Sequence, residues 1–164
     1  MHSLRISVLA AGLALSATFA QAQGTSVAFG AVKADTSLPV EVTADQLDVS
    51  QTDGSAEFRG NVVVGQGEMR LSAERVLVIY AEGQSRIQRM EAVGNVILVN
   101  GPDAAEAQRA DYSIDTGVIV MTGDVLLTQG QSAITSDKMT VNLTQGTAQM
   151  NGRVKTVINQ GGDQ

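Results

Sequence analysis

A glycine, a polar residue and a valine recur together four times along this chain. The copies are Gly60-Asn61-Val62, Gly94-Asn95-Val96, Gly123-Asp124-Val125 and Gly152-Arg153-Val154, spaced 34, 29 and 29 residues apart. A period of that size is one supersecondary unit used repeatedly, and such a unit buries its apolar face only by stacking on its neighbours. A short polar step precedes each copy, at Ala44-Asp45, Ala73-Glu74, Ala110-Asp111 and Ser136-Asp137, and a run of β-formers follows each step. The repeat points to an extended surface rather than a compact cleft.

The segments between these marks read as short strands. Gln66-Gly67, Glu82-Gly83, Asn100-Gly101-Pro102, Asp115-Thr116-Gly117, Gln129-Gly130 and Gln145-Gly146 supply the turns. No stretch carries a sustained apolar stripe at helical spacing. Phe58, Gly60, Val62 and Val64 alternate with Glu57, Arg59, Asn61 and Val63, giving one apolar and one mostly polar face. The apolar parity then changes. Met69, Leu71 and Ala73 occupy odd positions, whereas Val76, Val78 and Tyr80 occupy even ones. A similar jump separates Ile134 from Met139, Val141 and Leu143. If both halves of a strand face one core, the backbone must bulge or bend at the step between them. The acidic steps are therefore read as corners. Corners at every repeat fold sheets into a sandwich, a roll or a short β-solenoid.

Residues 1–22 have the form of a secretory leader. Arg5 is followed by the apolar run from Ile6 to Phe19 and then by Ala20-Gln21-Ala22, a small-x-small cleavage pattern. The apolar run is shorter than the roughly 20 residues that span a bilayer. The expected organisation is a cleaved signal peptide at 1–22, a flexible lead-in at 23–37, one β domain at 38–159 and a flexible tail at 160–164. His2 is the single histidine, and the chain has neither Cys nor Trp. After cleavage there is no disulfide framework, no zinc site of the usual kind and no imidazole or thiol catalysis. With 17 Asp and Glu against 11 Lys and Arg and no basic stripe, the chain lacks the electrostatic footprint of a nucleic-acid binder. No cofactor or metal is expected.

Two functional classes compete. A carbohydrate-active enzyme built on a β-solenoid would use paired carboxylates, for which Asp45 with Asp48 and Asp111 with Asp115 are the candidates. Both pairs sit at corners or turns, where acids serve the backbone. The other class is a binding surface. The apolar face is rich in Val, Met, Leu and Ile, with Met69, Met90, Met121, Met139 and Met150 distributed over successive units. Methionine fills gaps in a core poor in aromatics, or forms an adaptable lining for a flexible apolar guest. Open-ended repeats also leave terminal strands. Val40 and Val42 at one end, and Val154, Val157 and Ile158 at the other, are not blocked by Pro or a run of Lys, which suits edge-to-edge strand addition.

Several stretches resemble the OstA-like periplasmic proteins. They are Leu38-Pro39-Val40-Glu41-Val42 with Ala44-Asp45; Gly60 to Val64 with Gln66 to Leu71 and Ala73 to Val76; Val118 to Val125; and Ser136 to Val141. The resemblance covers Leu38 to Ile158. It implies an all-β fold, a twisted open jellyroll of antiparallel strands with an apolar interior groove and open edges at both ends. It also implies a non-enzymatic periplasmic carrier, or another OstA-like component of the same pathway such as the membrane-anchored partner. The cargo would be the acyl chains of lipopolysaccharide. The partners would be inner-membrane-anchored and outer-membrane components of its transport, with head-to-tail homo-oligomers also implied.

On the apolar parity, the residues expected to line that groove are Val40, Val42, Leu47, Val49, Phe58, Val62, Val64, Met69, Leu71, Val76 and Val78. The set continues through Val96, Leu98, Tyr112, Ile114, Met121, Val125, Leu127, Ile134, Met139 and Val141. Matching the family residue by residue places Thr36, Val40, Val99 and Ile114 at lipid-contacting positions. Val99 lies on the opposite parity to Val96 and Leu98, so the two arguments disagree there.

Overall fold

The computed structural model describes residues 25–30, 34–83 and 85–158. The expected signal peptide at 1–22 and the tail at 160–164 lie outside the described residues. Among the described residues, eleven strands form one antiparallel sheet: β1 (Thr25–Ala28), β2 (Glu41–Thr43), β3 (Gln46–Ser50), β4 (Ser55–Gln66), β5 (Met69–Tyr80), β6 (Ile87–Asn100), β7 (Asp103–Ser113), β8 (Val118–Gln129), β9 (Ser132–Asn142), β10 (Thr147–Asn151) and β11 (Lys155–Ile158). From β4 to β9 each strand pairs with the next by a hairpin, and the sheet is not closed.

A seam divides the six long strands. In β4 and β5, Arg59 pairs with Arg75 and Val62 with Ala73, so Gly60 and Asn61 together oppose Glu74 alone. In β6 and β7 the pairs Val93–Arg109 and Val96–Ala107 set Gly94 and Asn95 against Gln108. In β8 and β9 the pairs Thr122–Lys138 and Val125–Ser136 set Gly123 and Asp124 against Asp137. These are β-bulges, in which two residues of one strand face one of the other and the strand bends. Both residues of each glycine pair are left-handed: φ is 77° and 46° at Gly60 and Asn61, and 86° and 44° at Gly94 and Asn95. Asn and Asp tolerate this region better than other residues with a Cβ. Arg153, at φ 41°, does not belong to that class. Its guanidinium pairs with Asp137, with Nε 2.9 Å from Oδ1.

The corner reading of the polar steps therefore holds at Asp45, Glu74 and Asp137 but needs correction in the third copy. Asp111 lies away from the seam, opposite Glu91 and Val120, and the corner there is Ala107-Gln108. The apolar parity changes at that point, from Ala105 and Ala107 to Ala110 and Tyr112, all buried. Alanine alternation gives little contrast in sequence, and Gln108 carries no charge to mark the place.

On either side of the seam lies a half-sheet. Half-sheet I comprises β2, residues 62–66, 69–73, 96–100, 103–107, 125–129 and 132–136, and β11. Half-sheet II comprises β3, residues 55–59, 75–80, 87–93, 109–113, 118–122 and 138–142, β10 and β1. The halves fold over one shared core. Val62, Val64, Leu98 and Leu127 of the first join Val76, Met90, Met121 and Met139 of the second in a single buried cluster.

The reading of 23–37 as a flexible lead-in misses an element. Thr25–Ala28 forms β1 on the outer edge of β10, with Val27 opposite Ala148, and Phe29 is fully buried. Four residues among small polar neighbours show no periodicity of their own. Their strand character comes from the edge that receives them.

Candidate functional site

The inner face is continuous through both half-sheets. Of the residues expected to line a groove, Val62, Val64, Met69, Leu71, Val76, Val78, Val96, Leu98, Tyr112, Met121, Val125, Leu127, Ile134, Met139 and Val141 are buried on this face. Val40, Val42, Phe58 and Ile114 pack against the same cluster and are partly buried, as is Thr36. The middle of the roll is thus filled by its own side chains. Alternation did not single out its small members, Ala56, Ala92, Ala105, Ala107, Ala110 and Ala148, which allow the two halves to approach closely.

At its ends the inner face is uncovered. Leu47 and Val49 lie opposite Phe58 and Ala56 on β4, hence on the inner side, yet are 54% and 66% exposed. Beside them, Val49, Gly54 and Tyr80 line an open cavity of about 480 Å³. At the other end Thr156 lies opposite the inner residue Ile134, so Ile158 shares the inner side; it is 66% exposed. Val157 and Val154 are exposed as well. Val99 lies opposite Arg70 and Ala104, beside the buried Leu98, and so takes the outer face.

One rim of the inner face is polar. Gln66, Asn100 and Asp103 are buried at the strand ends of half-sheet I, and Gln129 pairs with Asp103 in register. The turn-like dipeptides Gln66-Gly67 and Asn100-Gly101 suggest solvent-facing positions, but strand parity continues inward through them from Val64 and Leu98. The Tyr112 hydroxyl, from half-sheet II, donates to Gln66 Oε1 at 2.6 Å. Burial pushes the Tyr112 phenol up to about 12. Gln66 Nε2 in turn donates to the carbonyls of Thr36 and Leu38 at 2.9 and 3.0 Å.

The outer face of half-sheet II carries paired charge. Glu57 accepts from Arg75 at 2.8 Å and also from Arg59. These two guanidiniums, Arg75 foremost, hold its carboxyl below the usual range. Glu91 and Asp111 accept from Arg109 at 2.7 and 2.9 Å. Of the carboxylates nominated for catalysis, three lie in such ion pairs and Asp45 is held by an amide. Asp45 accepts from Asn61 at 2.8 Å, Asp48 from Arg59 at 3.2 Å, Asp111 from Arg109, and Asp115 from Arg86. Each serves a seam, a strand face or a turn on the outside of the sheet. The arrangement as a whole is an apolar interior between charged and polar outer surfaces.

Residues 41–147 match the family described as LptA/(LptD N-terminal domain) LPS transport protein. The chain belongs to this family. An uncharacterized protein of Rhizobium meliloti is 28% identical over 93% of the chain and 88% of its own length. The lipopolysaccharide export system protein LptA of Escherichia coli is 29% identical over 67% of the chain and 63% of its own length, so the match spans less than two thirds of that relative. The crystal structure of LptH, the LptA-homologous periplasmic component of the lipopolysaccharide transport device of Pseudomonas aeruginosa, superposes with a TM-score of 0.69. It covers 77% of the chain and 99% of LptH at 19% identity. The LptA-family fold is accordingly that of an open antiparallel β-jellyroll, as its resemblance to OstA-like proteins implied.

Proposed function

We propose that this LptA-family chain is a periplasmic carrier that shelters the acyl chains of lipopolysaccharide on its inner face and passes the lipid from inner-membrane to outer-membrane machinery. The observation that carries this reading is the apolar inner face, which runs unbroken between the two half-sheets and is uncovered at β3 and at β11. Each methylene held out of water is worth about 0.8 kcal/mol, so several acyl chains cannot cross an aqueous compartment exposed. A trough solves that problem with no catalytic residue. The middle of the roll is filled by its own side chains, so a guest enters as the half-sheets part, and adaptable methionines in the wall, Met69, Met121, Met139 and Met150 among them, repack around it.

Export by a cleaved leader at 1–22 and end-to-end assembly complete the proposal. The free edges of β2 and β3 at one end and of β11 at the other are the sites for strand addition by a pathway partner or a second copy, which would join successive inner faces into one path. Photo-crosslinking side chains placed at Phe58, Ile114 and Met121 are expected to capture lipopolysaccharide, and one at Arg59 on the outer face is not. Equal capture at Arg59 would sink the trough.

A further inference from the structure

The polar rim of half-sheet I has a chemistry that a purely apolar trough does not require. Register places Gln66 beside Met69, Asn100 opposite Asp103 and Asp103 opposite Gln129, in one row across adjacent strands. At the usual spacing between strands the row is roughly 19 Å long. The facing ends of half-sheet II carry Tyr80, Ile87, Ile114 and Leu143, all packed on the apolar cluster or within it. One lip of the roll is therefore polar and the other apolar.

What the polar lip binds in this structure is peptide backbone. Gln129 Nε2 donates to the Ala28 carbonyl at 2.7 Å, and Gln66 Nε2 donates to the carbonyls of Thr36 and Leu38. The Gly30 N–H donates to Asp103 Oδ2 at 2.6 Å, which also accepts from Gln129 at 2.9 Å. Asn100 completes the row. It is 2% exposed, and its Nδ2 has no hydrogen-bond partner among the described residues. A buried amide donor left unmade costs on the order of 1–3 kcal/mol, and such an exception in a folded protein asks for an explanation.

We infer that this rim is a binding site for the neck of an N-acylated sugar lipid, where amide-linked acyl chains leave the polar head. The inference rests on the carrier reading above and adds a headgroup-proximal site to it. An acyl amide presents the same carbonyl and N–H groups that the rim already accepts from the chain's own backbone. Asn100 Nδ2 donates to its carbonyl, while the Asp103 carboxylate accepts from N–H or hydroxyl groups. Gln129 and Gln66, whose donors are already engaged, hold Asp103 and the backbone beside the site in place. The Asp103 carboxylate repels phosphate, so phosphates sit outside the rim. Apolar chains below the neck then lie on the inner face.

The test compares the full chain with Asn100→Leu and Gln129→Leu variants, using monophosphoryl lipid A and the apolar dye N-phenyl-1-naphthylamine as separate probes. Asn100→Leu is expected to weaken lipid A binding about five- to tenfold, the loss of one or two good hydrogen bonds. Dye uptake should stay within about twofold and the thermal midpoint should be unchanged or raised, because the replaced donor is unpartnered. Lipid A affinity unchanged in both variants, or dye and lipid A falling in parallel, overturns the rim site and leaves the carrier intact. A wild-type chain that takes up dye but binds no lipid A overturns the carrier reading, and the rim site with it.

Discussion

Across the seam between β5 and β6, Gly94 faces Glu74 so closely that a Cβ on Gly94 would stand 2.6 Å from Glu74 Oε2. Asn95, the next residue, donates from Nδ2 to Glu74 Oε1 at 2.6 Å. Gly60 meets Asp45 and Gly152 meets Asp137 in the same way. The glycine of the repeat thus answers two requirements, a positive φ and the absence of a side chain. Gly130 shares only the first, with φ 56° and nothing within 4 Å of its absent Cβ. Gly130→Ala is expected to cost about 1 kcal/mol from backbone strain. Gly94→Ala should cost about 3 kcal/mol, because overpacking adds to the strain. Urea titrations with constant m-value read both. Equal losses at the two sites would show that close approach contributes nothing.

Tyr112 and Gln66 tie the two half-sheets through the interior. Removal of the hydroxyl in Tyr112→Phe leaves Gln66 Oε1 without that donor and is expected to cost about 1–3 kcal/mol. The pH dependence has a definite sign. The phenol is raised from 10.0 to about 12 by burial, so the folded state favours its neutral form. That contribution is fully present below pH 10 and is lost as pH rises towards 12. Stability curves measured between these limits should slope downward in the wild type and lie flatter in Tyr112→Phe. Parallel curves would remove Tyr112 as the source.

Charged substitutions at the uncovered ends separate assembly from folding. Leu47→Lys and Ile158→Lys place charge where more than half of each residue is exposed, so thermal midpoints should change little. Concentration-dependent linear association, followed by light scattering, should fall in either variant. If neither substitution alters association, strand addition at these ends is not how copies join.

Core and surface respond on different scales. Met121→Ala removes a fully buried side chain and is expected to cost about 2–5 kcal/mol. Arg75, half-exposed beside Glu57, should matter far less, with Arg75→Ala staying within about 1 kcal/mol after solvent screening. The Glu57 carboxyl lies below its ordinary value, so its small contribution is present above that value and disappears in acid. Denaturant midpoints at neutral and acid pH check both. An arginine loss equal to the methionine loss would contradict the assignment of stability to the interior.

Local sequence carried much of this architecture. Alternation around Val62, Val96 and Val125 fixes which face is apolar, because successive strand side chains point to opposite sides. The parity changes from Ala73 to Val76 and from Ile134 to Met139 require a bend within three to five residues. The glycine pairs mark the matching bulges. Each of these is a short-range property of the backbone, legible without knowing any partner. The polar rim was less legible, since Gln66 and Asn100 look like turn residues until their parity is followed inward.

What the repeat faces was a matter for the tertiary structure. In the third copy the corner is Gln108 rather than Asp111, which restores spacings of 29, 34 and 29 residues along the corner positions and becomes visible only from the register of β6, β7 and β8. The docking of Thr25–Ala28 on β10, more than a hundred residues later, has no local signature either. Nor do the exposure of Leu47 and Ile158 or the unpartnered amide of Asn100. These depend on which strands end a sheet and which backbone closes over its rim. Such contacts are set by burial and hydrogen bonding between distant segments, whereas alternation, turns and bulges are set by the geometry of neighbouring residues.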